Sequence, residues 1–112
     1  MKTKILFVCY MNIDRSRTAE DIYSQRPEFE VKSAGVSLYA QQTVSAELVE
    51  WSDIILCMQH SHVAFIKKNF NEFITDKIVD SLDVYDVYDY MDPLLVEILT
   101  KKIDDWLHAH LL

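Results

Sequence analysis

A cysteine and an arginine near the start of the chain are the two side chains best suited to do chemistry together. Cys9 ends an apolar run, and Arg15 follows six positions later with Ser16 beside it. A thiolate is a strong nucleophile, and it is stabilised by the positive end of a helix and by a nearby guanidinium. The planar guanidinium of Arg15 can bond two oxygens of the phosphoryl group that Cys9 attacks, and the Ser16 hydroxyl can donate to the departing sulfur. We therefore predict nucleophilic chemistry on phosphorus.

The segment between these residues predicts a binding loop for a phosphate group. The apolar run 5–8 is typical of a strand buried on both faces, and we expect a helix capped by Ser16 to follow the loop. Backbone N–H groups of such a loop converge with the unpaired donors of the helix N-terminus. The residues expected around the phosphate are Tyr10, Met11, Asn12, Ile13, Asp14 and Arg15. The simpler interpretation is a buried cysteine at a strand end and a solvated arginine in a first helical turn.

The composition indicates one domain that spans residues 1–112. Hydrophobic residues make up 50% of the chain, which is enough for a single core. The 18 acidic residues outnumber the 11 basic ones, and the formal net charge of −7 argues against nucleic acid or an anionic membrane as a partner. Two cysteines make no disulfide framework, and we recognise no signal peptide or membrane-spanning run in the sequence. We therefore expect a cytoplasmic protein, and the sequence makes no prediction of its oligomeric state.

The other metal-ligating and nucleophilic residues favour structural interpretations. His60 and His62 lie at a predicted helix start, but a third ligand is not evident near them. Cys57 falls within a predicted buried strand, where a cysteine is usually a small core residue. We therefore predict no metal and no cofactor.

The remaining pattern alternates strands and helices. Strands are predicted at 5–8, 29–34, 52–58 and 77–79, and helices after residues 16, 45, 59 and 92, the last capped by Asp92. This order predicts an α/β three-layer sandwich with a four-stranded parallel sheet in the order 2-1-3-4. The first strand is then central, and the loop after the fourth strand ends at the same edge of the sheet. Asp83 and Asp86 in that loop are therefore candidates for a general acid.

The chain resembles the low-molecular-weight protein tyrosine phosphatases, in particular the compact bacterial-type members. The matching segments are 8–9, 12, 15–16, 18–20, 33–35, 50–58 and 90–93, which span nearly the whole chain. The resemblance implies the phosphotyrosine phosphatase I-like fold, with Cys9 as nucleophile and Arg15 as phosphate clamp. It also implies that Asn12 shapes the loop, that Ser16 assists the thiolate and that an aspartate is the general acid, Asp83 first and Asp86 second. The implied substrate is a phosphorylated protein or a small aryl phosphate.

Several positions depart from the pattern of the larger family members. Met11 stands where they have glycine, Asp14 where they have a second cysteine, and Arg17 where they have proline. A positive φ at Met11 would be strained. An inward Asp14 carboxylate would weaken phosphate binding, whereas an outward one has Arg17 as an available partner.

Other functions remain open from the sequence. They are a phosphocysteine carrier of phosphotransferase type, a phosphate-binding module with weakened catalysis and a thiol-dependent arsenate reductase. Arg15 argues against a carrier, and Cys57 within a strand is a poor resolving cysteine for a reductase. Four tyrosines are candidates to stack on a phosphotyrosine ring: Tyr10, Tyr39, Tyr85 and Tyr88.

Overall fold

The structure, a computed structural model, describes residues 2–111 of the 112-residue chain. Strands and helices alternate along these residues. The elements are β1 (Thr3–Cys9), α1 (Arg15–Tyr23), β2 (Phe29–Gly35), α2 (Ala46–Trp51), β3 (Ile54–Cys57), α3 (His60–Asn69), a short 3₁₀ helix (Asn71–Phe73), β4 (Ile78–Ser81) and α4 (Pro93–Leu111).

The four strands form one parallel sheet in the order β2-β1-β3-β4. At the carboxyl end of β1, Cys9 lies opposite Gly35 of β2, and Val8 lies opposite Cys57 of β3. The predicted α/β architecture and strand order are confirmed. The carboxyl ends of the central strands therefore meet at one edge, where open α/β sheets bind their ligands.

Helices cover both faces of the sheet, which explains the continuous apolar run of β1. Ile5 and Phe7 pack on the side of α1 and α4, in a cluster that includes Leu95 and Leu99. Leu6 and Val8 pack on the other side, with Val49 of α2 and Ile66 of α3. Successive side chains of a strand point to opposite faces, so a strand between two helical layers is apolar at every position.

Helix α4 begins as the sequence predicts. The Leu94 N–H donates to the Asp92 carboxylate (2.9 Å), and Pro93 occupies the first helical position, where a missing N–H costs no hydrogen bond. Among the described residues, no helix is both long and apolar enough to span a membrane.

Three details of the predicted elements are wrong. Helix α1 begins at Arg15 with Asp14 as its N-cap, so Ser16 lies inside the helix and does not cap it. The Ser16 hydroxyl instead contacts the side chains of Cys9 and Asn12. Strand β4 runs over Ile78–Ser81, not 77–79. Lys77 lies before it, and its Nζ donates to the Glu50 carbonyl (3.1 Å). Strand β3 is confined to Ile54–Cys57.

Candidate active site

Two donors contact the sulfur of Cys9 at the junction of β1 and α1. The Asn12 N–H donates to Cys9 Sγ (3.2 Å), and Ser16 Oγ lies 2.9 Å from the same sulfur. The helix N-terminus, with its positive dipole end, begins at Arg15. This environment stabilises negative charge on sulfur.

A chain of side-chain hydrogen bonds runs from Glu20 through Ser33 and Asn12 to the Ser16 hydroxyl. Ser33 Oγ is 2.5 Å from Glu20 Oε1 and must donate, because a carboxylate only accepts. The Asn12 amide then donates to both Ser33 Oγ (2.9 Å) and Ser16 Oγ (2.7 Å). Because Ser16 Oγ accepts from Asn12, its hydroxyl hydrogen remains available to a thiolate at Cys9, which is the contact that the predicted role of Ser16 requires. Ser33 and Glu20 had no predicted role.

The loop backbone takes its left-handed conformation at Asn12 and not at Met11. Asn12 has φ of 57°, and it is one of three non-glycine residues with positive φ among those described. Asparagine tolerates this region better than a bulky residue because its short polar side chain can bond locally. Met11 therefore carries no positive-φ strain.

The segment after β2 holds the carbonyls of the loop. The N–H groups of Val36, Ser37 and Gln41 donate to the carbonyls of residues 9, 10 and 11, at 3.0, 3.0 and 3.1 Å respectively. In a trans peptide the C=O and the following N–H point in opposite directions. The N–H groups of residues 10–12 are therefore turned away from this segment, and the Asn12 N–H reaches the sulfur. The loop offers donors to an anion beside Cys9.

Arg15 is almost fully buried and is held by the two neighbouring loops. Its side chain is 2% exposed, and Nη1 donates to Gln59 Oε1 (2.8 Å) and to the Val84 carbonyl (2.9 Å). Nη2 lies 3.6 Å from Asp86 Oδ2. Gln59 was missed by sequence reasoning. Its position directly before α3, at the end of a strand beside β1, is the signal that would have indicated it.

The structure separates the two candidate acids of the loop before α4. Asp86 lines a cavity of about 110 Å³ together with Cys9, Met11, Ile13, Asp14 and Arg15. Asp83 Oδ1 lies 3.1 Å from His60 Nε2, and it accepts a hydrogen bond from Ser81 Oγ (2.8 Å). Asp86, the second choice from sequence, is thus the aspartate beside Arg15.

A buried histidine lies behind the arginine. His62 is 3% exposed, and its Nδ1 accepts the Gln59 N–H (3.2 Å). Desolvation by burial, strengthened by the Arg15 charge and opposed by Asp86, lowers the pKa of His62 to about 4. His62 is therefore neutral at pH 7 and supports the residue that holds Arg15.

The remaining predicted residues lie at the rim of the site or outside it. Tyr10, Tyr39 and Tyr85 are exposed, whereas the half-buried Tyr88 packs against the core between the sheet and α4. The Asp14 carboxylate makes no capping bond to α1. Arg17 pairs with Glu20 (3.7 Å) and donates to Gln41 (2.7 Å), so it is not the partner of Asp14.

The cysteines lie on different sides of the sheet. Both are free, with Cys9 in the cluster of α1 and α4 and Cys57 in the cluster of α2 and α3. Burial, and secondarily the Asp80 charge, raises the pKa of the Cys57 thiol. Among residues 2–111, no group of three or more His, Cys, Asp or Glu side chains is placed to share a metal ion.

Comparison with known proteins gives matches to solved structures alone. The sequence matches no family model and no curated protein. The structure matches the low molecular weight protein tyrosine phosphatase SP-PTP from Streptococcus pyogenes, with TM-score 0.75 and 18% identity over 100% of this chain and 95% of that one. It also matches Vibrio vulnificus Wzb in complex with benzylphosphonate, with TM-score 0.76 and 20% identity over 97% and 99% of the two chains.

A third similar structure is a YwlE arginine phosphatase from Bacillus subtilis, a Cys-to-Ser mutant with a phosphorylated active-site serine. Its TM-score is 0.68 at 22% identity, over 97% of this chain and 98% of that one. The chain described here therefore has the α/β fold of the low molecular weight protein tyrosine phosphatases.

Proposed function

We propose that this protein is a cysteine-dependent phosphatase that hydrolyses phosphate monoesters through a phosphocysteine intermediate. One observation carries the proposal. Cys9, Arg15 and Asp86 line the same small cavity, at the sheet edge where this fold binds its ligands. Nucleophile, phosphate clamp and proton donor are the three parts that the reaction needs.

The first step transfers the phosphoryl group to sulfur. The Cys9 thiolate attacks phosphorus as the ester P–O bond breaks, and Asp86 gives its proton to the departing oxygen. Arg15 and the loop N–H groups bond the equatorial oxygens, where negative charge accumulates. Gln59 and the Val84 carbonyl hold the Arg15 guanidinium in position before substrate arrives.

The second step returns the enzyme to its starting state. The Asp86 carboxylate, now deprotonated, takes a proton from water while the water oxygen attacks phosphorus. The S–P bond breaks and the sulfur leaves as a thiolate, which the Ser16 hydroxyl and the Asn12 N–H stabilise. Inorganic phosphate is the product.

The walls of the cavity favour an aromatic ester. Met11 and Ile13 line it beside Cys9, and Ile13 is 44% exposed at the mouth. An apolar wall suits an aryl ring better than a polar guanidinium. The tyrosine phosphatase among the similar structures supports protein phosphotyrosine as substrate, and the arginine phosphatase makes phosphoarginine the comparison to test.

The alternative functions have less support. A phosphocysteine carrier must release its phosphoryl group to another molecule, so it does not need a fixed arginine beside the cysteine. Arg15 is fixed by Gln59, the Val84 carbonyl and Asp86. Arsenate reduction needs a second cysteine within reach, and Cys57 lies on the opposite face of the sheet. The free thiols suit a reducing compartment, for which we propose the cytoplasm.

An assay with an aryl phosphate, in buffer containing a metal chelator, tests the proposal. We expect turnover by the wild-type protein, inhibition by vanadate, and loss of turnover in Cys9→Ser and in Arg15→Ala. Cys57→Ser is the matched control and should retain turnover, because its sulfur lies across the sheet. Absence of wild-type turnover with retained phosphate binding would indicate a phosphate-binding module.

A further inference from the structure

A second cavity adjoins the candidate active site and is not used by the proposed reaction. Its volume is about 500 Å³, and it is lined by Gln59, His60, Ser61, Asp83, Val84 and Tyr85. Gln59 and Val84 are also the two residues that bond Arg15 Nη1. A substrate whose phosphate is bound by Arg15 therefore has neighbouring residues within reach of this cavity.

The backbone of Asp83, whose carboxylate lines this cavity, is held by several contacts. Asp83 has φ of 56°, its N–H donates to Ser81 Oγ (3.2 Å), and its carbonyl accepts from Lys102 Nζ (2.8 Å). Lys102 also bonds the Leu82 carbonyl (3.0 Å), so α4 fixes this corner of the loop. The bonds with Ser81 and Lys102 maintain the left-handed backbone of Asp83, and neither of them involves Arg15.

The charge and shape of the cavity suit a cationic side chain. Ser81 and His60 both contact Oδ1 of Asp83, so Oδ2 is the oxygen that a ligand can bond. The Tyr85 ring is 76% exposed, and an aromatic face attracts a guanidinium or an ammonium. Val84 adds apolar surface for the aliphatic stem of such a side chain.

We propose that this cavity binds an arginine or lysine side chain of the substrate protein, close in sequence to its phosphorylated residue. The inference rests on the proposed phosphatase function and adds the substrate class. Asp83 Oδ2 bonds the cation, Tyr85 stacks on it, and the His60 imidazole stays at Oδ1. Asp83 is thus a specificity-determining residue.

Peptide binding tests this inference without requiring turnover. The Cys9→Ser variant is titrated with phosphotyrosine peptides that carry arginine, alanine or glutamate at each position flanking the phosphotyrosine. For at least one position we expect the arginine peptide to bind about three- to fivefold tighter than the alanine peptide, the upper part of the range of an exposed ion pair. Adding Asp83→Asn should bring this ratio to about one, and Asp83→Lys should favour the glutamate peptide.

Asp89→Asn is the matched control, because it removes another carboxylate of the same loop outside the cavity. It should leave the ratio between arginine and alanine peptides unchanged. A ratio near one in the parent variant at every position, a preference that survives Asp83→Asn, or no phosphopeptide binding would each overturn the inference. Absent aryl phosphate turnover in the wild-type protein, with the peptide preference intact, would overturn the phosphatase proposal alone.

Discussion

At the scale of single residues, the two aspartates of the loop before α4 have different surroundings and, in our account, different tasks. Asp86 lies 3.6 Å from Arg15 and lines the Cys9 cavity. We expect Asp86→Asn to lower kcat for an aryl phosphate by ~10²–10⁴-fold, because the amide cannot donate a proton to the leaving oxygen. In steady-state kinetics across pH, the plot of kcat against pH should also lose the limb that reports protonation of the general acid.

The same assay separates Asp86 from its neighbours. Asp83→Asn should lower kcat far less than Asp86→Asn, since Asp83 contacts His60 and not Arg15. Asp89→Asn, at another carboxylate of the loop, should leave kcat unchanged. A larger loss in Asp83→Asn than in Asp86→Asn would show that the order of preference drawn from the sequence was right.

His62 makes the stability of the protein depend on pH. Burial, with the Arg15 charge, holds its pKa at about 4, against 6.5 for an ordinary histidine. Between these values the unfolded chain binds a proton that the folded protein does not, so the folded state loses stability as pH falls. The free energy of unfolding is not reduced by His62 above about pH 6.5, and protonation of the unfolded chain lowers it by about 3 kcal/mol by about pH 4.

Urea unfolding of wild type and His62→Gln measures this effect. From about pH 7 to about pH 4, the wild-type free energy of unfolding should fall more steeply than that of His62→Gln. The other histidines and the carboxylates titrate in both proteins and cancel in the comparison. Equal slopes in the two proteins would mean that His62 is protonated within the fold.

At the scale of elements, the loop between β1 and α1 depends on how closely β2 approaches it. A Cβ on Gly35 would lie 2.4 Å from the Tyr10 carbonyl, 2.7 Å from Ala40 Cβ and 3.0 Å from the Asn12 nitrogen. We expect Gly35→Ala to cost ~1–3 kcal/mol of stability and to weaken phosphate binding, because loop backbone must move. Urea unfolding and phosphate competition measure the two effects.

A second substitution isolates the cause of that loss. Ala40→Gly removes one of the three contacts, so the double variant with Gly35→Ala should recover part of the stability. The contact with the Tyr10 carbonyl remains, so recovery should be incomplete. Full stability in Gly35→Ala alone would contradict the close approach.

The elements were largely predictable from local sequence, whereas the partners within the site were not. The doubly covered β1, the Asp92 cap and the order of the sheet follow from apolar spacing and from crossover rules. The strand order places Gln59 at the correct edge of the sheet, but its bond to Arg15 spans 44 positions and depends on side-chain directions that no local pattern encodes.

Side-chain competition explains the mistaken cap of α1. A serine before an apolar stripe predicts an N-cap, but the Ser16 hydroxyl is bonded to Asn12 and Cys9. The hydrogen-bonded chain through Ser33 to Glu20 has no local signal either, since Ser33 lies on another strand. The sequence ranked Asp83 before Asp86, whereas Asp86 is the one beside Arg15, because the distance of each carboxylate from Arg15 depends on the loop conformation.

At the scale of the whole molecule, the formal charge of −7 opposes the approach of a phosphate. Raising NaCl from about 10 to about 150 mM shortens the Debye length and screens this repulsion. We expect kcat/KM for a small anionic aryl phosphate to rise over that range, and kcat/KM for a peptide of net positive charge to fall. A fall for both substrates would mean that the local field of Arg15 outweighs the field of the molecule.

The central claim is that Cys9 carries the phosphoryl group during turnover. Rapid denaturing quench at alkaline pH, where an S–P bond survives, of the Asp86→Asn variant with an aryl phosphate, followed by peptide mass analysis, tests it most directly. The account predicts one added phosphoryl group on the peptide that contains Cys9, none on the peptide that contains Cys57, and slow release of inorganic phosphate into water. Turnover by the wild-type protein with no adduct at Cys9, or with the adduct on another residue, would contradict it.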